Sequence, residues 1–288
     1  MKVNQGFRGS ARFAWMAPVA FGLLLAGGGS ASADSIVTND AFLPVVHIVG
    51  STGTFRSDVW IFNPNRADVS VKLYYTPADT DGTGLGGIRI TPDLHSRESV
   101  TLSDIVGNPA YFNRSSSYGL LEVVTSSPVI VTSNLYNVAG ATPGTYGQFT
   151  PGQPFRNALG FDDTDNGLLY ITGLPNDSNF RVNAVAMNPT GVTLYAGVQL
   201  VDAVGNVVPE GRIFTVPPYS MHQINDIFGA EFASGHPRPE NGPYRLNFFV
   251  EPGPPGSNSQ FARILCYASI TDKRTGDPYM VVGQAQKP

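Results

Sequence analysis

Two short acidic stretches have the residue types and spacing that come nearest to a chemical site. Asp162-Asp163-Thr164-Asp165-Asn166-Gly167 and Asp79-Thr80-Asp81-Gly82-Thr83-Gly84 both alternate carboxylates with small polar residues ahead of a glycine. Oxygen ligands in that rhythm suit a hard cation such as calcium. Neither stretch completes a calcium loop, because the glycine offset fits poorly and no bidentate glutamate follows at the right distance. Asp162, Asp163 and Asp165 are the candidate calcium ligands, and a solvated turn is the plain alternative. No other cofactor is expected.

Other chemistries find less support. His47, His95, His222 and His236 are dispersed, with no two at helical ligand spacing. A dispersed site with His222, His236 and Asp226 converging is what a hydrolase reading would require. No G-x-S-x-G frame holds a serine nucleophile, and Ser115-Ser116-Ser117 reads as a polar loop. The glycine run Gly84-Leu85-Gly86-Gly87 follows an acidic loop that would repel phosphate. Cys266 is the one cysteine and sits in the apolar run ARILCYASI, so it reads as a small core residue. The expectation is a protein without catalytic residues.

The start of the chain bears on where it acts. Lys2, Arg8 and Arg12 precede the apolar stretch 13–26, and Ala31-Ser32-Ala33 offers a signal-peptidase site. Residues 1–33 are expected to be a cleaved signal peptide that directs export, and an uncut N-terminal anchor is the alternative. After cleavage 15 basic residues face 22 acidic ones, a net charge of −7. That argues against a nucleic-acid partner, which needs a basic face. No integral membrane span is expected in the mature chain. Location outside the cell, on its surface or in the periplasm follows.

The elements that would carry a site are β-strands. The sequence has 32 glycines and 23 prolines, many of them between short runs rich in Val, Thr, Tyr and Phe, and long amphipathic helical patterns are missing. The chain is also written twice. FRSDVWIFNP at 55–64 returns as FRVNAVAMNP at 180–189. The shared positions are Phe55, Arg56, Asp58, Asn63 and Pro64, against Phe180, Arg181, Asn183, Asn188 and Pro189. Further matches follow in the same order: DIVG at 104–107 with DIFG at 226–229, YGLLEVV at 118–124 with YRLNFFV at 244–250, and PVIVTSNLYN at 128–137 with ARILCYASITD at 262–272. With VSVKLYYTPADTDGTG against VTLYAGVQLVDAVGNV and GTYGQF against GDPYMVVGQ, five collinear matches beyond the decapeptide predict a tandem duplication of a unit the size of one small β domain.

The boundaries read as a short N-terminal tail at 34–41, a first β-sandwich repeat at 42–153, a linker at 154–167 and a second repeat at 168–288. The stretch 34–41 could alternatively be donated as a strand to a neighbour. Asn-Pro ends the motif strand, since proline cannot donate to the ladder. Arg56 and Asp58 project to one side. The Asp58/Asn183 exchange removes the charge of a catalytic pair yet leaves a hydrogen-bond acceptor, so the motif reads as structural. Val59-Trp60-Ile61-Phe62 is apolar on both faces, which places Trp60 in the core or against a neighbouring domain. Asp-Ile-(Val/Phe)-Gly reads as a turn capped by its aspartate and ended by glycine.

The motif FRSDVWIFNP, the SDIVG turn, the VIVTSNLYN strand and the closing GTYGQF resemble tandem Ig-like repeats of exported proteins from environmental bacteria. The resemblance covers most of residues 42–286. It implies two Ig-like or fibronectin-III-like β-sandwich domains in a secreted or surface setting, and no defined activity. The expected role is an exported, non-enzymatic structural, adhesive or binding protein of the surface, matrix or a filament. Its partner would be a protein or glycan at the cell surface, or further copies of itself. The alternative is a carbohydrate-binding or accessory module of a secreted hydrolase system.

Overall fold

The computed structural model describes residues 36–50, 53–84, 88–138, 146–161, 167–175, 177–208, 211–229, 232 and 243–285. The expected signal peptide, the candidate ligands Asp162, Asp163 and Asp165, and His236 lie outside the described residues. Among those described, the chain is all-β, with antiparallel pairing throughout and no α-helix.

The first half holds β1 (Val37–Gly50), β2 (Gly53–Phe62), β3 (Val69–Pro77), β4 (Ile88–Leu94), β5 (Ser99–Leu102), β6 (Ser117–Asn137) and β7 (Tyr146–Pro151). The 21-residue β6 serves two layers. Its first part pairs with β3 on one side and with β1 on the other, where Asp40–His47 lies opposite Val124–Ser117. Its second part pairs with β2 and β7. Alternation sends Leu43 and Val45, Val59 and Ile61, Val71 and Leu73, and Leu121 and Val123 into one shared core, each at most 1% exposed.

The second half holds β8 (Leu159–Gly160), β9 (Leu169–Leu174), β10 (Phe180–Met187), β11 (Leu194–Val201), β12 (Arg212–Val216), β13 (Met221–Ile224), β14 (Tyr244–Val250), β15 (Arg263–Asp272), β16 (Pro278–Val282) and β17 (Gln284–Ala285). One sheet runs β12-β11-β14-β9-β17 and the other β13-β10-β15-β16, with β8 beside β15. A core that includes Val182, Val198, Leu246, Phe248 and Ile264 lies between them.

The pairing orders of the halves correspond. β4-β3-β6-β1 matches β12-β11-β14-β9, and β5-β2-β6-β7 matches β13-β10-β15-β16. Where the first half uses the single strand β6, the second uses β14 and β15. The ladders also correct one sequence match. Tyr75 opposes Leu121 and Leu200 opposes Leu246, so Leu121 corresponds to Leu246. Matching Tyr118 to Tyr244 by letter shifts the strand one residue, which would turn every side chain to the wrong face.

The doubled Asn-Pro acts as a clamp. Asn63 is fully buried, and its Nδ2 donates to the carbonyls of Ala67 (2.9 Å), Leu94 (3.2 Å) and His95 (2.9 Å). Asn188, equally buried, donates to Val192 (2.8 Å), Val216 (3.1 Å) and Pro217 (2.9 Å). One amide thus ties the end of its strand to the next loop and to the strand beyond.

The halves meet over a buried junction. Phe42 and Leu120 of the first half pack with Val185, Met187, Met221, Leu265 and Tyr267 of the second. Polar contacts frame it. Asp79 N donates to Met221 O (3.0 Å), Gly82 N to Pro218 O (2.9 Å), and Ser220 Oγ to Pro77 O (3.0 Å). Ser269 Oγ donates to Gln148 Oε1 (2.7 Å).

Two expected boundaries shift. The tail at 34–41 is strand from Val37 onward, because Val37 and Thr38 pair with Ile130 and Val129 and Asp40 and Ala41 pair with Val124 and Val123. That stretch pairs within the sheet of its own chain. Within 154–167, Ala158 is buried in the junction and Leu159–Gly160 pairs with Ile264 and Arg263, so this part of the expected linker is structured.

Candidate functional site

Strand parity builds a site on the outer side of β2. Ser57, Val59 and Ile61 face inward, so Arg56, Asp58, Trp60 and Phe62 face out. Directly opposed residues share a face. Tyr136, Asn134, Thr132 and Ile130 of β6 lie opposite those four. Thr101 and Ser99 of β5 lie opposite Trp60 and Phe62. Phe149 of β7 lies opposite Asn134, and Pro151 opposite Thr132.

Trp60 is 37% exposed and Phe149 49%. The expectation of a core Trp60 is therefore corrected. Its strand is apolar on both faces, but only the Val59/Ile61 face is covered. The same strand in the second half behaves as the alternative foresaw: Val185 and Met187 face out and are buried by the first half.

A polar network anchors one end of this face. Asp58 Oδ1 accepts the Asp104 backbone N–H (2.8 Å) and the Tyr136 hydroxyl (3.1 Å). His47 Nδ1 lies 2.8 Å from Asp104 Oδ1, and Arg56 Nε lies 3.6 Å from Asp104 Oδ2. Arg56 Nε is buried and has no hydrogen-bond partner. Asp104 is held at φ +48°, and its Oδ1 accepts Gly107 N (3.3 Å). Burial first, then the Asp58 carboxylate, pushes Tyr136 up to about 12. Tyr136 thus stays protonated and donates, and Asp58 accepts. The arrangement fixes donors and acceptors beside exposed rings.

The Asp/Asn exchange in the motif has a plain geometric meaning. Asn183 Oδ1 accepts the Asp226 N–H (3.0 Å), as Asp58 does for Asp104, and also the Nε of Arg181 (3.0 Å). Asp226 has φ +60°. The acceptor oxygen is what both halves use, to hold the Asp-Ile-x-Gly turn against the strand.

The described histidines do not gather. His47 pairs with Asp104, His95 with Asp68 and His222 with Asp79. His222 spans the junction and stacks on Phe214, ring centroids 4.8 Å apart, so it does not converge on Asp226. The first acidic loop is used structurally. Asp79 reaches His222, while Asp81 Oδ1 accepts the Thr83 N–H (2.8 Å) and hydroxyl (2.7 Å), which lower its pKa. Among the described residues no group of three or more His, Cys, Asp or Glu could hold a metal ion. Cys266 is buried, and burial pushes its thiol pKa up.

An open cleft of about 530 Å³ lies in the second half, lined by Gly160, Phe161, Gly167, Leu168, Gln199, Phe249, Val250 and Glu251. Among the described residues that line it, Glu251 is the one carboxylate.

Sequence reasoning reached Arg56, Asp58 and Asp104 but missed Phe149, Tyr136, Thr132 and Asn134 as their neighbours. Counting parity outward from Val59 and Ile61 would have placed Trp60 with them. No family model matches this chain, and no curated protein matches it.

Proposed function

We propose that the mature chain, residues 34–288, is an exported, non-enzymatic protein of two tandem Ig-like, fibronectin-III-like β-sandwich domains. It serves as a structural or adhesive component of the cell surface, matrix or a filament. Its mechanism is surface complementarity. The observation that carries this reading is the buried junction, in which two halves of matching strand order are joined face to face through Phe42, Leu120, Val185, Met187, Leu265 and Tyr267. A chain so joined presents fixed surfaces, which suits a building block. The calcium reading of Asp162, Asp163 and Asp165 is retained as a minor part of the proposal. The test is fractionation of native cells with an antibody to residues 34–288. Recovery from the surface, medium or periplasm supports the reading, and a purely cytoplasmic protein that keeps residues 1–33 overturns it.

One observation favours the alternative of a carbohydrate-binding or accessory module. Exposed Trp60 and Phe149 share a face with Asp58, Asn134, Thr132 and Thr101. Rings offer flat apolar area and the polar side chains bind hydroxyls. Trp60 is the one tryptophan left after residue 33. Its fluorescence in residues 34–288 would change on titration with soluble polysaccharides. No change across a panel of neutral and acidic polymers would remove this alternative.

A further inference from the structure

The junction uses one kind of face from each half. From the first half it takes the outer side of β1 and β6, with Phe42 and Leu120, and from the second the outer side of β10 and β15, with Val185, Met187, Leu265 and Tyr267. Because the halves share a strand order, each also owns the other kind of face. The registers map Trp60 onto Val185 and Phe62 onto Met187, since both pairs oppose corresponding positions of β6 and β15. They likewise map Tyr170 onto Phe42 and Phe249 onto Val124. One chain therefore ends in two counterparts of its own junction, the exposed Trp60 face and the Phe249 face, where Asn247 is 6% exposed and Phe249 lines the cleft beside Phe161 and Leu168.

We infer that a second copy of this chain docks head to tail, its Trp60 face seated on the Phe249 face of the first, by the operation that already joins the two halves. This rests on the structural-subunit reading above and names its partner. Part of the frame around the junction has counterparts as well. In the junction, the loop after β3 gives Asp79 N and Gly82 N to the turn before β13, where Tyr219 has φ +51°. The turn before β5 has the same conformation, with Arg97 at φ +63°. The loop after β11 stands at the place of the giving loop, although its Val204 N donates within the loop to Asp202 Oδ1 (3.0 Å). It carries Val204, 83% exposed, and Asp202, opposite in charge to Arg97. Ile213, 60% exposed, opposes Gly197 and so shares the face of Phe249, which also opposes Gly197. Exposed apolar residues thus remain on both open faces.

The two faces differ, so the contact is heterologous and propagates into open chains or rings instead of closing as a two-fold dimer. It is weaker than the junction, because Arg245 stands where the junction has Leu120, and Asn247 where it has Glu122.

The test uses residues 34–288 in sedimentation equilibrium up to about 1 mM, the range where weak contacts form. The wild type should gain mass with concentration. Trp60→Arg and Ile213→Arg, both at exposed positions and checked for unchanged circular dichroism, should each remain monomeric alone. Mixed in equal amounts, they should give dimers and nothing larger, since only one good pair of faces remains. Val204→Arg, which sets a second cation against Arg97, should weaken association without altering the Trp60 face. A wild type that is monomeric at about 1 mM overturns the inference, as does either arginine variant associating by itself. A monomer that still binds polysaccharide through Trp60 also overturns it, and moves the face to the carbohydrate alternative. None of these outcomes changes the fractionation result that tests the function itself.

Discussion

Glu122 offers a quantitative check on the edge of the junction. It sits on the outer side of β6, opposite Phe42 of β1 and Tyr74 of β3. Phe42 is buried in the junction. Burial first, then the nearby Asp40 carboxylate, raises the Glu122 pKa from 4.5 to about 7. Asp40 is itself engaged, since its Oδ1 accepts the Thr38 hydroxyl (2.7 Å) and the Phe155 N–H (3.3 Å). At about 1.36 kcal/mol per pH unit, the rise corresponds to about 3 kcal/mol. The folded state holds a proton that the unfolded state releases between pH 4.5 and about 7. The associated stability is fully present below 4.5 and is lost as pH rises through about 7.

Other groups titrate in the opposite sense. Hydrogen bonds from Arg274 hold Asp272 down to about 2. A wild-type pH profile alone would therefore mix these effects. The informative quantity is the difference between wild type and Glu122→Gln in urea unfolding followed by circular dichroism. Glutamine imitates the protonated acid at every pH. The two proteins should be nearly equal near pH 4, with the variant ahead by about 3 kcal/mol near pH 8. A difference that stays flat across that span would show that Glu122 does not lie at a desolvated margin, and the account of the junction's edge would fall with it.

The remaining predictions concern the clamps, the packing and the faces. Asn63→Ala and Asn188→Ala should each cost about 4 kcal/mol in urea unfolding, from the two N–H groups that Nδ2 shares among three carbonyls and the two hydrogen bonds that Oδ1 accepts, at about 1 kcal/mol apiece. A loss at only one site would refute the equivalence of the clamps. Gly119→Ala would bring its Cβ within 2.1 Å of Thr76 O and 2.8 Å of Pro77 Cα, so a loss of about 1–3 kcal/mol is expected by thermal melting. Met187→Ala should cost about 2–5 kcal/mol because the residue is fully buried. Phe62→Ala, its half-buried counterpart on the open face, should cost distinctly less; equal losses would mean that the Trp60 face is covered. Iodide should quench Trp60 readily in residues 34–288, and a shielded tryptophan would contradict its 37% exposure.

What the sequence disclosed depended on the range of the interaction. Strand character was legible because alternation and turn residues act locally: Val69, Val71, Leu73 and Tyr75 alternate with Ser70, Lys72 and Tyr74 and line the core. The acceptor role shared by Asp58 and Asn183 was legible because the two copies could be compared. The clamp was only half legible. Asn-Pro announced the end of a strand, but the carbonyls of Leu94 and Val216 lie 31 and 28 residues further along the chain. Trp60 was misplaced because an apolar run does not say which of its faces is covered. That depends on where the other half packs, and the junction is set by contacts such as Phe42 with Leu265, far apart in the chain. The match of Tyr118 to Tyr244 slipped because letters were compared without parity.

The corresponding positions show where the demands on the chain differ. Inward, Val59 and Ile61 correspond to Ala184 and Ala186, and all four are apolar and at most 3% exposed. Outward, Trp60, Phe62, Ser99 and Thr132 correspond to Val185, Met187, Met221 and Tyr267. The covered set is flexible or aliphatic apart from Tyr267, and fills space against Phe42 and Leu120. The open set places an exposed ring among hydroxyls. Side chains inside a core are constrained by the volume they share, whichever half they occupy. An outer face is constrained only by what touches it. Because the backbone and ladders of the two faces correspond, their difference in composition reports a difference in partner. The second half's face is buried within the chain. The first half's face is left half-exposed around Trp60, and the proposed docking and the glycan alternative both turn on that surface.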